Sequence, residues 1–255
     1  MPIDDFAAFT KAIIEATCDL VCAYKPNYAF FEAEGLDGLR ALDATMKTVP
    51  SDVPVILDAK RGDIGSTATA YAKAAFEVWG ADAVTLNPYM GSDSIEPFLA
   101  YEDRGVFILT RTSNPGGADF EELPIAYDEG VASAHTGRSR PLYEHVTEHA
   151  VKWNTHGNIG LVVGATAPDE LKRIRSIAPT MPILIPGIGT QGGDLEASIR
   201  NGVNADGLGA IINSSRGIIF ASKGPDFPDA ARTAAQKLRS EINAEREKLG
   251  FRWPS

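Results

Sequence analysis

Seven short β-rich runs alternate with helical stretches along this chain, and that alternation constrains the fold more than any other feature. The runs are VCAYKPNY (21–28), VILDAK (55–60), AVTLNPY (83–89), VFILTRTS (106–113), IGLVVGAT (159–166), ILIPGIG (183–189) and GLGAIINSS (207–215). Helical patterns follow them, among them STATAYAKAAFEVW after the second, PDELKRIRSIA after the fifth and FPDAARTAAQKLRSEINAERE after the seventh. Most runs are apolar throughout, as parallel strands covered on both faces must be. Strand–helix alternation of this kind predicts an α/β fold with right-handed crossovers.

The polar residues choose between an open sheet and a barrel. An open sheet gathers its site at one switch point. A barrel gathers the C-terminal ends of all its strands around one mouth. Here nearly every run ends in polar or glycine residues: Lys25 and Asn27, Asp58 and Lys60, Asn87, Arg111 to Ser113, Gly187 and Gly189, Asn213 to Arg216. A (β/α)8 TIM barrel is therefore expected, as one domain over residues 1–255, a length such barrels commonly reach. The count is one short. Eight helical segments accompany seven strands, and the chain opens on a helix (Phe6, Phe9, Ile13, Ile14) behind Asp4 and Asp5. The first β-strand is apparently missing, which predicts a gap between the runs at 207–215 and 21–28. Residues 117–141, which start on the second of two tandem glycines and hold two prolines, read as an extended surface loop.

Composition excludes several classes. No apolar run approaches the ~20 residues needed to cross a bilayer, so no membrane association is expected. The net charge is −10 with no Lys/Arg block, unlike a nucleic-acid binder. The acidic, amphipathic start lacks the pattern of a secretory signal, and a cytoplasmic protein is expected. Cys18 and Cys22 do not have zinc-ligand spacing and read as buried small hydrophobes in a reducing compartment. His145-Val-Thr-Glu148-His149 satisfies an inverted zinc-protease pattern, but in an outer-helix stretch where a solvated face is expected.

The densest chemistry lies in 57–67, LDAKRGDIGST. Asp58 and Lys60 stand two apart at a strand end, on one side of a regular strand. Asp63 follows in a glycine-bounded turn, and Lys25 ends the preceding strand. The four form an alternating set of acid and base. As an internal salt-bridge network they would stabilise little, because desolvation offsets attraction. Aimed at a barrel mouth, they suit catalysis. Two carboxylates also suit a divalent ion, against which the interposed ammonium charges weigh. A second group, Pro186-Gly-Ile-Gly-Thr-Gln191-Gly192-Gly-Asp194, satisfies G-x-G-x-x-G but lacks the acid a dinucleotide site wants ~20 residues on. With Arg216-Gly217 after the next strand, it reads as a phosphate cradle of backbone N–H groups plus a guanidinium fork. Ser113, in RTSNPG, could read the edge of a planar ring or simply start a turn.

The segment DAKRGDIGSTA resembles the signature of the orotidine 5′-monophosphate decarboxylases, in their bacterial branch. The resemblance runs along essentially the whole chain through AYKPNYAFFEAEG (23–35), VTLNPYMGSDSIEPF (84–98), ILTRTSNPGG (108–117), IGLVVGAT (159–166), LIPGIGTQGGD (184–194) and INSSRGIIFAS (212–222). It implies a decarboxylase without cofactor or metal, in which Lys60 stabilises a C6 carbanion and protonates it. Asp58 would then lie beside the leaving carboxylate, with Lys25 and Asp63 holding Lys60. It further implies that Ser113 bonds the pyrimidine, and that Pro186, Gln191, Gly192, Arg216 and Gly217 bind the nucleotide substrate, Gln191 and Arg216 at its phosphate. Asp63, Ile64 and Thr67 would reach a neighbouring subunit's site, hence a homodimer with shared sites. Relatives in that family open with a strand ending near Gly-Leu-Asp-Pro, a block this sequence lacks. Two alternatives stay open: a Mg²⁺-dependent 3-keto-sugar-phosphate decarboxylase or synthase of the same barrel group, and a non-catalytic phosphate-binding barrel.

Overall fold

The computed structural model describes residues 5–126, 139–189 and 192–253. Its strands in chain order are β1 (Ile56–Arg61), β2 (Ala83–Leu86), β3 (Gly105–Arg111), β4 (Pro124–Ala126), β5 (Ser139–Pro141), β6 (Ile159–Val163), β7 (Ile183–Pro186) and β8 (Ala210–Asn213). Six of them form one parallel sheet in the order β1-β2-β3-β6-β7-β8. Every crossover carries at least one helix, as parallel neighbours require.

The strands alternate between two apolar layers. Ile56, Ala83, Phe107, Val162 and Leu184, one from each of five strands, meet in an inner cluster. Their sequence neighbours Leu57, Val84, Ile108, Leu161 and Ile183 pack outward with helix residues such as Leu42, Phe98 and Leu171. One side chain per strand converging inside a ring of helices is the arrangement of a barrel interior.

The run at 21–28 joins this sheet less regularly than the others. Tyr24 bridges Val55 and Asn27 bridges Asp58, both parallel. Tyr24 N–H donates to the Pro54 carbonyl at 3.0 Å, and Tyr24 and Pro26 carbonyls accept from Ile56 and Asp58 at 2.8 and 2.9 Å. Pro26 has no N–H to give, so the pairing stays at two bridges. On the other side of the run, no ladder joins it to β8 among the described residues. An apolar cavity of about 820 Å³ lies between, with Phe9, Ile13, Ile14, Tyr24, Ile211 and Ile212 in its lining. The first helix, Phe6–Thr17, closes the outside by packing Phe9 and Ile13 on Phe227 and Ala231 of the last helix, Phe227–Lys248. Asp5 caps that first helix, accepting from Ala8 N–H at 3.0 Å.

Two expectations change. Within 117–141 the described residues hold a helical turn, Ala118–Glu121, and the antiparallel pair β4–β5. At three residues each, the two strands are too short to show a hydrophobic pattern. Cys18 is only partly covered and Cys22 is exposed. Cys22 lies within the irregular edge run and Cys18 just before it, where no strand covers the far side among the described residues.

Candidate active site

The barrel mouth is built around a break in β1. Leu57 stands opposite Val84 and Arg61 opposite Leu86, so Asp58, Ala59 and Lys60 face Thr85 alone. This bulge turns Lys60 into the left-handed region, φ +46°, the one non-glycine residue there among the described residues. Such a conformation costs on the order of 1–3 kcal/mol and persists only where its surroundings hold it. Asp58 and Lys60 do share a side, as expected, but through the bulge and not through regular strand alternation.

The charged groups then line up. Lys25 Nζ donates to Asp58 Oδ2 at 2.6 Å and Lys60 Nζ to Asp58 Oδ1 at 2.5 Å. The Asp58 side chain is 8% exposed and Lys25 12%, whereas Lys60 is 49% exposed and opens to the mouth. Burial opposes ionisation of Asp58. The Lys25 charge and the hydrogen bonds from both ammonium groups outweigh it and hold the carboxyl below its ordinary range. Its folded value is depressed, so the stabilisation is fully present above the ordinary carboxylate range and is lost as pH falls through the folded value. Denaturant melts of the protein and of Asp58→Asn should therefore differ most near neutrality and converge in acid. A gap that stays constant down to pH ~2, past the ordinary carboxylate range, would count against this pairing.

Asp63 stands apart from that chain. Its carboxylate accepts from Ile64 N–H at 2.8 Å, and it makes no ion pair with Lys60 among the described residues. The expectation that Asp63 helps hold Lys60 does not follow from the geometry of this chain. Ile64 is 47% exposed, and Thr67, on the helix Gly65–Lys73, also faces solvent. Arg61, the charge between Lys60 and Asp63 in sequence, is drawn off between two rings, 4.8 Å from Tyr28 and 4.5 Å from Tyr71.

Ser113 lies just beyond β3, in a turn fixed by Glu121. That carboxylate accepts from Thr112 N–H at 2.9 Å, Thr112 Oγ1 at 2.7 Å and Arg111 Nη1 at 3.2 Å. The end of β6 comes so close that a Cβ on Gly164 would sit 2.6 Å from Ser113 Cα, and Thr166 Oγ1 donates to the Ser113 carbonyl at 3.1 Å. Pro186 ends β7 opposite Asn213 of β8. The loop beyond it turns through Gly187, Gly189 and Gly192 at φ +107°, +89° and +77°, which other residues rarely adopt. Gly192 N–H is occupied by the Gly189 carbonyl at 2.9 Å. Gln191 lies outside the described residues. Arg216 and Gly217 open the turn after β8, and Arg216 is exposed with no ion-pair partner among the described residues.

Thr85, Glu121 and the Tyr28–Arg61–Tyr71 stack are the parts that sequence reading missed. No spacing announces a threonine inside an apolar strand as the partner of a bulge on its neighbour. The His145–His149 pair is on the outer helix Leu142–Trp153, ring centroids 4.4 Å apart, and Glu148 between them is engaged by Arg140.

Known proteins resemble this chain in sequence and in fold. The sequence family described as "Orotidine 5′-phosphate decarboxylase / HUMPS family" matches residues 3–226. An orotidine 5′-phosphate decarboxylase of Ralstonia nicotianae is 52% identical over 241 residues, 94% of this chain and 84% of that protein. The enzyme of that name from Roseiflexus castenholzii is 54% identical over 237 residues, 92% of this chain and 83% of its own. Among solved structures, that of Leishmania donovani OMP decarboxylase superposes with a TM-score of 0.83 at 46% identity, covering 94% of this chain and 87% of that one. Fold likeness and sequence likeness along nearly the whole length agree, and the chain belongs to the orotidine 5′-phosphate decarboxylase family.

Proposed function

We propose that this chain converts orotidine 5′-monophosphate to uridine 5′-monophosphate in pyrimidine synthesis, as a cytoplasmic homodimer of one barrel domain per chain over residues 1–255. The observation that carries the reading is the buried Lys25–Asp58–Lys60 chain, with only its last ammonium open to the mouth. The relatives supply the substrate, since those at 50% identity and above bear the decarboxylase name.

Breaking the C6–carboxylate bond leaves an electron pair in the ring plane, orthogonal to the π system. Delocalisation cannot stabilise it, so a fixed cation must. Lys60 takes that role and then gives its proton to C6, which completes uridine monophosphate as CO₂ departs. Asp58, held ionised by two ammonium groups, sits against the departing carboxylate and disfavours the bound ground state. Both Asp58 oxygens are engaged by ammonium groups, which argues for this chemistry over the magnesium-dependent sugar-phosphate reading. Ser113 reads the pyrimidine. The 186–192 loop with Gln191, Arg216 and Gly217 takes the phosphate, and that remote binding serves the transition state. Asp63, which makes no ion pair with its own Lys60 among the described residues, and the exposed Ile64 and Thr67 reach the site of the second subunit.

Turnover of orotidine 5′-monophosphate with excess EDTA present is the direct test. Absence of uridine monophosphate would sink the reading, and loss of turnover only with EDTA would favour the metal-dependent alternative. Arg216→Ala should weaken uridine monophosphate binding by about 10- to 100-fold, the worth of one hydrogen bond to a charged group. Uridine itself should bind almost as before. Equal losses for both ligands in calorimetry would contradict the phosphate assignment.

A further inference from the structure

We propose that Thr85 is the positioning residue that presents Lys60 to the reacting carbon. The inference rests on the decarboxylase reading for what Lys60 does, and on the bulge geometry for how Lys60 is held. Thr85 lies in the middle of β2 and is 2% exposed, so it has no access to a substrate in the mouth. It acts through its two neighbours on β1.

A threonine hydroxyl has one proton to donate and two lone pairs to accept with. Thr85 uses all three on the bulge. Its Oγ1 donates to Asp58 Oδ1 at 3.1 Å and accepts from Ala59 N–H at 3.1 Å and Lys60 N–H at 3.0 Å. The bulge is what makes those amides need it. In a regular ladder they would be served by carbonyls of the paired strand, but three β1 residues stand opposite one on β2. A buried amide without an acceptor is costly, so the hydroxyl takes the place of the missing carbonyls. Thr85 is β-branched, which leaves its χ1 little freedom and fixes where that oxygen sits.

The same atom sets the catalytic pair. Asp58 Oδ1 receives both the Thr85 hydroxyl and the Lys60 ammonium. The backbone of Lys60 is held at φ +46° by one of these bonds, and its Nζ rests on a carboxylate oriented by another. Both ends of the Lys60 side chain are thus referred to one hydroxyl. Misplacement of a reacting group by ~1 Å costs on the order of 10²-fold in rate.

Thr85→Val keeps the shape and removes the hydroxyl, and Thr85→Ser keeps the hydroxyl. Three readouts are taken: kcat and KM for orotidine 5′-monophosphate, the melting temperature, and the pH titration of the Asp58 carboxyl carbon by NMR in the ligand-free protein. T85V is expected to lose on the order of 10²-fold in kcat with KM little changed, and to titrate Asp58 at higher pH because the carboxylate has lost a donor. T85S is expected to restore both. Unchanged kcat and unchanged Asp58 titration in T85V would overturn the proposal, as would a loss confined to KM or a loss that serine does not rescue. Should T85V not fold, T85C replaces it; its weak thiol donor should give the same changes, smaller in size, and wild-type values in it would equally overturn the proposal. Should the wild-type protein not turn over orotidine 5′-monophosphate, the decarboxylase reading falls, and the Asp58 titrations still decide whether Thr85 holds the bulge.

Discussion

Lys60→Ala should lower kcat by on the order of 10⁴-fold or more while uridine monophosphate still binds measurably. The size follows from two roles meeting in one group. A positioned general acid contributes ~10²–10⁴, and a preorganised charge at the developing anion ~10²–10³. Removing Lys60 leaves Asp58 with Lys25 alone, and Lys25 is buried on the far carboxylate oxygen, away from the mouth. No other ammonium is joined to Asp58 among the described residues, so nothing stands ready to replace it. Single-turnover measurement at saturating substrate checks this, with calorimetry on uridine monophosphate as the folding control. Turnover within tenfold of wild type would remove Lys60 from the proton transfer.

The difference between what could be read early and what could not is physical. Lys25, Asp58 and Lys60 were legible because barrel strands must end at one mouth, which brings residues 33 and 2 apart in sequence together. That the strands are covered on both faces was legible from their apolar runs alone. The bulge was not. A bulge is a property of two strands in register, and residues 55–60 read as an ordinary strand whichever partner they take. Thr85 was hidden for the same reason, as one hydroxyl among Ala83, Val84 and Leu86. The set of four charges was read as one network because they are close in sequence, yet Asp63 belongs to its own turn. Short β4 and β5 carry too few apolar residues to mark themselves. Among the described residues no ladder joins β8 to the 24–27 segment, so the sheet has two edges there.

Those edges carry the second large expectation. On one side β8 is only half-buried along its length, and on the other the 24–27 segment bridges only Val55 and Asp58 among the described residues. Between them, the apolar cavity of about 820 Å³ has barrel-interior residues on one wall and Phe9 and Ile13 on the other. A parallel strand apolar on both faces would meet both walls and give each edge a hydrogen-bonding partner. One strand with its connection is ~20–25 residues. Fusing such a segment ahead of residue 1 should raise the melting temperature. Each apolar side chain that it buries against these walls contributes roughly 1.5–3 kcal/mol, offset by the cost of ordering the strand, and each net kcal/mol is worth about 2–4 °C for a domain of this size. A fusion of equal length made only of glycine and serine should give no rise, since it offers neither wall a side chain. Turnover should increase with the strand as well, because Lys25 sits on the edge that the strand would steady. Hydrogen exchange locates the effect: amides of 210–213 should slow in the strand fusion and not in the control. Equal melting temperatures for all three proteins, with those amides already protected in the unfused chain, would mean that β8 and the 24–27 segment close on each other without help.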